Sequence, residues 1–130
     1  MNRGRVQVLL ITSRDTGRWV IPKGWPIEGL TAAEAAAREA WEEAGVEGLV
    51  AATDLGQFHY DKIMDPKPAV PCQVQVFALR VAKLRAKFPE RKERRRRWFD
   101  ALKAARKVAE PELRQLLQHL PEMLVPLATP

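Results

Sequence analysis

The stretch GWPIEGLTAAEAAAREAWEEAGV, residues 24–46, contains the strongest structural signal in the 130-residue chain. Its first residues include Gly24, Pro26 and Gly29, which disfavour a regular element there. Thr31 and Glu34 have the T-x-x-E spacing of a capping box, and strong helix formers follow. Gly45 is typical of a left-handed cap at the end of a helix. The stretch therefore predicts a loop, and then a helix that ends at Gly45.

Three glutamates lie close together on one face of this helix. At 100° per residue, Glu39, Glu42 and Glu43 fall within an arc of about 100°. Like charges at this spacing destabilise an isolated helix, so the arrangement favours a compensating cation. Carboxylate oxygens are hard ligands and suit Mg²⁺ or Mn²⁺. The alternative interpretation is a solvated acidic helix face.

The two signs of charge are separated along the chain. The whole chain has 22 Lys and Arg against 16 Asp and Glu, a net charge of +6. Residues 80–107 hold 13 of the basic residues and only 3 of the acidic ones, whereas residues 28–46 carry five Glu and one Arg. A compact acidic cluster and a basic stretch suit a divalent cation and a polyanion, respectively.

Strand and helix patterns extend over the whole chain, so we expect one α/β domain covering residues 1–130. Prolines within 61–71 favour a connecting loop there. The predicted strands are Val6–Thr12, Trp19–Ile21, Leu49–Ala52, Leu55–Tyr60, Val70–Val81 and Arg95–Phe99, and the predicted later helices are Ala101–Ala109, after Asp100, and Pro111–Leu120.

Composition narrows the class of protein. The chain is 46% hydrophobic and 29% charged, which is typical of a globular domain. Its single Cys72 forms no internal disulfide and lies in an apolar run, which favours a buried inert thiol over a nucleophile. No run of 18 apolar residues and no signal-peptide pattern occurs, so we expect a cytoplasmic protein without a membrane partner.

The stretch 24–46 resembles the Nudix box, whose pattern is G-x5-E-x7-R-E-U-x-E-E-x-G-U with U apolar. The pattern expects Glu at position 30, where this chain has Leu30; Glu28 lies two positions earlier. The positions that match are Gly24, Arg38, Glu39, Glu42, Glu43 and Gly45, with Ala40 and Val46 at the apolar sites.

The resemblance implies a Nudix-type α/β/α sandwich with a mixed, partly antiparallel sheet, and a pyrophosphohydrolase that uses Mg²⁺ or Mn²⁺. It implies that Glu39 and Glu43 hold metal, that the Gly24 carbonyl adds a ligand, and that Arg38 orients the glutamates. Glu42 is then a metal ligand or the base that takes a proton from water. In the family, the missing first Glu supports the helix more than it holds the metal.

Two further segments are similar to the diphosphoinositol polyphosphate phosphohydrolase branch of the family: RWVIPKG at 18–24 and RRWF at 96–99. The substrate implied is a small polyphosphorylated molecule, either a diphosphoinositol polyphosphate or a dinucleoside polyphosphate. The alternatives are hydrolysis of nucleoside triphosphates or nucleoside diphosphate derivatives, and a catalytically weak regulator that binds nucleotide or RNA. The oligomeric state is not indicated.

Residues 91–97, RKERRRR, form the most cationic segment. Alternate arginines of a strand point to the same face, so this segment is suited to polyphosphate capture; a solvated strand edge and a nucleic-acid patch are the less favoured interpretations. Trp25 is either packed or a base-stacking platform. Glu90 or Glu93 could supply an extra carboxylate from outside the box, but a surface role is favoured for each. The candidate substrate-binding residues are Arg14, Arg18, Lys23, Arg94, Arg95, Arg96 and Arg97.

Overall fold

The structure, a computed structural model, describes residues 5–64 and 67–128. The elements in chain order are β1 (Gln7–Thr12), β2 (Trp19–Val20), α1 (Ala32–Ala44), β3 (Val46–Val50), β4 (Gly56–Met64), β5 (Lys67–Val76), β6 (Leu79–Leu84), β7 (Arg96–Asp100), α2 (Ala101–Lys107) and α3 (Pro111–Ala128). No helix among these residues is long and apolar enough to span a membrane.

The strands form three antiparallel groups. β1 lies between β2 and β7, while β3 pairs with β6 and β4 pairs with β5. This architecture confirms the α/β class and the antiparallel part of the expected mixed sheet; every strand pair within 5–64 and 67–128 is antiparallel.

The strand β1 separates two hydrophobic cores because its successive side chains point to opposite faces. Leu10 packs in a large core with side chains that include Phe58, Phe99 and those of α2 and α3. Its neighbour Ile11 packs in a smaller core with Ala44, at the end of α1. The sheet around β1 thus has helices on both faces, as in the expected sandwich.

The structure corrects two of the expected boundaries. The proline-rich segment Asp61–Pro71 is not a connecting loop, because β4 continues to Met64 and β5 begins at Lys67. Pro71 pairs with Asp61 in this hairpin. Among the described residues β5 pairs with β4 alone, so β5 is an edge strand. An edge strand tolerates proline because one side needs no N–H donor. The expected strand Val70–Val81 is divided between β5 and β6.

The helix α1 begins and ends as the sequence predicts. The Glu34 amide donates to Thr31 Oγ1 at 3.1 Å, and Glu34 Oε1 accepts from the Thr31 amide at 2.8 Å, so the capping box is complete. Gly45 has φ = 67°, a left-handed value that favours glycine. These caps fix the two ends of the helix that carries the glutamates.

Candidate active site

Glu43 is the buried acidic residue at the centre of the candidate site. Only 5% of its surface is exposed, although it lies on a helix whose glutamates were expected to share one charged face. Burial and, after it, the neighbouring Glu39 carboxyl together raise the pKa of Glu43 to about 8, against the opposing effect of the Arg94 guanidinium. A carboxyl in such surroundings is a favourable position for a cation, because a cation removes the cost of ionising it.

Gly24 lies directly against Glu39. A Cβ atom at Gly24 would lie 2.6 Å from Glu39 Oε1 and 2.8 Å from Oε2, closer than real Cβ contacts. The absence of a side chain therefore allows the loop backbone to approach the carboxylate of α1. This close approach places the loop and the helix where the box resemblance implies that both contribute metal ligands.

Arg94 connects Glu43 to two other parts of the chain. Its Nη2 lies 3.5 Å from Glu43 Oε1, its Nε donates to Glu90 Oε1 at 2.8 Å, and its Nη1 donates to the Thr12 carbonyl at 3.1 Å. The side chain is only 11% exposed. Arg94 thus holds a catalytic candidate by a charged contact, rather than standing free to capture substrate as the strand pattern predicted.

The orienting role that the box resemblance implies for Arg38 stays a prediction. The Arg38 side chain is exposed, and it forms no ion pair within 4 Å among the described residues. Glu43 is instead contacted by Arg94, from the segment that precedes β7. The reason is geometric: Glu43 points into the fold and Arg38 points to solvent.

Glu90 was expected on the surface, and the structure places it beside the site. Its amide donates to the Glu42 carbonyl at 2.9 Å, which attaches the segment before β7 to the end of α1. Its carboxylate is 20% exposed and contacts Arg94, four residues later. The i, i+4 spacing of Glu90 and Arg94 was the available sequence signal for this pair.

A second cluster lies around Lys23. Its ammonium lies 4.7 Å from the centre of the Tyr60 ring. Burial lowers the pKa of Lys23, while the charges of Glu43 and Glu110 oppose that shift. Arg18 Nη2 forms an ion pair at 3.0 Å with Glu110 Oε2. The structure thus brings the substrate-binding candidates Arg18 and Lys23 together with Glu110, a residue that the sequence did not single out.

The four arginines of 94–97 alternate in burial. Arg94 and Arg96 are half-buried, whereas Arg95 and Arg97 are exposed. Arg96 Nη1 donates to the Ala44 carbonyl at 2.7 Å, and its guanidinium lies over the Phe88 ring. An open cleft of about 420 Å³ adjoins this pair and is lined by Ala86, Phe88, Arg91, Lys92, Arg94 and Arg96.

The remaining arginine candidates lie near the edge of this region. Arg95 lies 5.7 Å from the centre of the Trp19 ring. Arg14 is exposed and lies 3.9 Å from Glu90 and 3.6 Å from Glu93. The segment thus supplies counter-charges to acidic groups as well as exposed cations.

The donors at this site fit a hard divalent cation. Glu39 and Glu43 present carboxylates beside the backbone of Gly24, and oxygen donors suit Mg²⁺ or Mn²⁺. Within 5–64 and 67–128, no group of three His, Cys, Asp or Glu side chains has the geometry to surround a metal. Glu42 is half-buried on the same helix, and its role as ligand or base stays a prediction.

Comparisons with known proteins identify the family of this chain and agree with its fold. The family model described as the NUDIX domain matches residues 1–120. The chain belongs to the Nudix family. In this Nudix domain, the box residue Gly24 lies against Glu39, and the Glu39 carboxyl lies beside that of Glu43.

Three curated relatives come from Arabidopsis thaliana. The chain is 35% identical to Nudix hydrolase 12, mitochondrial, over 77% of this chain and 51% of the relative. It is 36% identical to Nudix hydrolase 13, mitochondrial, over 77% and 52% of the two proteins, and 33% identical to Nudix hydrolase 16, mitochondrial, over 86% and 63%. The Nudix chain thus spans between about half and just under two thirds of these relatives.

A solved structure shares the fold. The crystal structure of C. elegans Ap4A hydrolase matches with a TM-score of 0.67 and 19% identity, over 95% of this Nudix chain and 89% of the other. At this identity the likeness shows the fold alone.

Proposed function

We propose that this Nudix domain is a metal-dependent pyrophosphohydrolase that cleaves a phosphoanhydride bond of a polyphosphorylated substrate by attack of water at phosphorus. The observation that carries the proposal is the contact of Gly24 with Glu39 next to the buried Glu43. Buried like charges are costly unless a cation compensates them, so this arrangement is easier to understand as a metal site than as a stabilising feature.

Each residue of the site has a role in the proposed reaction. Glu39, Glu43 and the Gly24 carbonyl would hold Mg²⁺ or Mn²⁺, which when bound neutralises phosphate charge and activates water. Glu42 takes the proton from the attacking water or adds a ligand. Arg94 keeps Glu43 in place through its contact at 3.5 Å.

Exposed cations then bind the phosphates of the substrate. Arg18 keeps 40% of its side-chain surface exposed. Lys23 is close enough to Glu43 and to Arg18 for their charges to act on it. Cations placed in this way stabilise charge that develops on the leaving phosphate. The exposed Arg95 and Arg97 are further candidates for the same task.

The substrate that the surroundings favour is a dinucleoside polyphosphate. Trp25 follows Gly24 directly and is 55% exposed, and Lys62 Nζ lies 5.4 Å from its ring centre. An exposed aromatic ring beside a phosphate site suits a stacked base. Arg94 and Arg96 are engaged with protein groups, which leaves fewer cations for an inositol polyphosphate. The neighbour named Ap4A hydrolase is consistent with this choice.

A diphosphoinositol polyphosphate is the second candidate substrate. It is favoured by the likeness of residues 18–24 and 96–99 to the branch that acts on such molecules, and by the open basic cleft beside Arg96. Cytoplasmic location is part of the proposal as an inference from the sequence, whereas the three relatives carry the word mitochondrial in their names.

The test is phosphate or nucleotide release from diadenosine tetraphosphate, a diphosphoinositol polyphosphate, ATP and ADP-ribose, with Mg²⁺, with Mn²⁺ and with EDTA. We expect the highest kcat/KM on diadenosine tetraphosphate and no turnover in EDTA. Trp25→Ala should raise KM for that substrate more than Trp98→Ala, its control on β7, where the tryptophan is 41% exposed. Absence of turnover on all four substrates with either metal, together with RNA binding, would favour a regulator.

A further inference from the structure

Glu110 is a buried carboxylate outside the box and close to the candidate site. It lies directly before α3 and is 8% exposed. Its backbone carbonyl accepts from the Arg114 amide at 3.0 Å, so its backbone belongs to the start of that helix. Its Oε2 meets Arg18 Nη2 at 3.0 Å, across 92 positions of sequence. A buried carboxylate needs a partner, and Arg18 supplies it.

The second cation near Glu110 is Lys23, next in sequence to Gly24. Its ammonium lies over the Tyr60 ring, and the charges of Glu43 and Glu110 both act on it. A lysine side chain is long and flexible, so the position of its ammonium depends on the charges that surround it. Of these two acidic groups Glu43, the centre of the metal site, acts more strongly on Lys23 than Glu110 does.

We propose that Glu110 is a positioning residue that holds the Arg18 guanidinium on the phosphate-binding side of the site, where Lys23 is a neighbouring cation. The guanidinium is then pre-arranged for an anionic ligand. The identity of that ligand as substrate rests on the proposed function.

A negative charge beside an anion site has a second, opposite effect. By charge alone, Glu110 repels phosphate, so neutralising it would tighten the binding of a polyanion. If Glu110 positions Arg18, neutralising it weakens the binding instead, since the guanidinium loses its arrangement. The sign of the change therefore separates a positioning role from a bystander charge.

The chain offers a matched control in Glu112, two residues further along. Glu112 is exposed, and its carboxylate accepts from the His59 amide at 2.7 Å and lies 3.0 Å from His59 Nδ1. Glu112→Gln changes the net charge by the same amount as Glu110→Gln. Its carboxylate contacts neither Arg18 nor Lys23 among the ion pairs of the described residues.

The experiment measures binding of inorganic tripolyphosphate in EDTA by calorimetry. We expect Glu110→Gln to weaken binding about tenfold, the effect of one lost charge-assisted contact, and Glu112→Gln to change it less than twofold. In kinetics on diadenosine tetraphosphate, Glu110→Gln should raise KM about tenfold and change kcat less than threefold. Equal or tighter binding by a folded Glu110→Gln protein would overturn the proposal.

Two additions keep the test decisive. If Glu110→Gln does not fold, Glu110→Asp retains the charge on a shorter side chain; weakened binding supports positioning, and unchanged binding contradicts it. Arg18→Gln combined with Glu110→Gln should bind less than threefold more weakly than Arg18→Gln alone; a full additive loss would contradict coupling. If the variants follow this pattern of tripolyphosphate binding but the wild-type protein hydrolyses no substrate, the proposed function is refuted and the role of Glu110 stands.

Discussion

Arg94 and Arg96 differ from Arg95 and Arg97 in what they contact, although all four stand side by side. The first two turn inward, to Glu43 and Glu90 and to the Ala44 carbonyl, respectively. The other two are exposed to solvent. Arg94 and Arg96 therefore interact with carboxylates and with a backbone carbonyl near the end of α1. Only Arg95 and Arg97 are available for a ligand in the present arrangement. A cluster of cations near a phosphate site does not by itself indicate phosphate binding.

The largest expected effect comes from the acidic partner of the inward pair. Glu43→Gln should lower kcat at least about a hundredfold, because a metal ligand loses its charge. The melting temperature in EDTA should hold or rise, because the variant no longer buries an ionisable carboxyl. Glu47→Gln, on an exposed glutamate that pairs with Arg85, is the control and should retain wild-type turnover. Near wild-type turnover of Glu43→Gln would remove Glu43 from the catalytic assignment.

The next effect compares one inward with one outward arginine. Arg94→Gln leaves Glu43 and Glu90 without their cation and should cost about 3 kcal/mol of unfolding free energy. Arg95→Gln, next in sequence, should cost less than about 1 kcal/mol because its guanidinium is exposed. Urea unfolding of both variants measures the difference. Equal costs would mean that burial does not distinguish the two arginines.

The pH dependence of stability tests the balance between Glu43 and Arg94. The pKa of Glu43 is raised to about 8 in the folded protein, so between its unfolded value and that pKa the folded state binds more protons. The stability linked to this carboxyl is complete below its unfolded pKa and is lost as pH rises through about 8.

In EDTA, the unfolding free energy of wild type minus that of Glu43→Gln should therefore fall by on the order of 1–2 kcal/mol between about pH 5 and pH 7. Saturating Mg²⁺ should reduce the fall, because a bound cation favours the ionised carboxylate. A difference that rises with pH in EDTA would show that Arg94, rather than burial, determines the state of Glu43.

The smallest expected effect concerns the second inward arginine. Arg96→Gln removes the donor at 2.7 Å from the Ala44 carbonyl, at the negative end of the α1 dipole, and should cost about 1 kcal/mol. Arg97→Gln should cost less than about 0.5 kcal/mol. Thermal unfolding of both variants gives the comparison. A larger cost for Arg97→Gln would reverse the assignment of the two faces.

The helix α1 and its surroundings show how far the sequence could be read. Both caps of α1 were predictable because the capping box and the left-handed glycine each act on residues that are close to them along the chain. The cation that contacts Glu43 was not predictable. Arg38, which was expected, and Arg94, which is observed, are both suitable cations, and only packing decides which one turns inward. The hairpin of β4 and β5 was missed for a similar reason: proline disfavours strands locally, but an edge position removes the penalty.

The sequence by itself determined the family, the α/β class, the helix α1 and the presence of Glu39, Glu42 and Glu43 on one part of it, since these follow from short-range spacing and composition. Only the tertiary structure decided which charges meet. Arg94 reaches Thr12 across 82 positions and Arg18 reaches Glu110 across 92, and such pairs depend on how β1, α1 and α3 pack rather than on local propensity. Burial then made Glu43 a carboxyl that is costly to ionise, which no spacing in the sequence reveals, because desolvation is a property of the packed molecule.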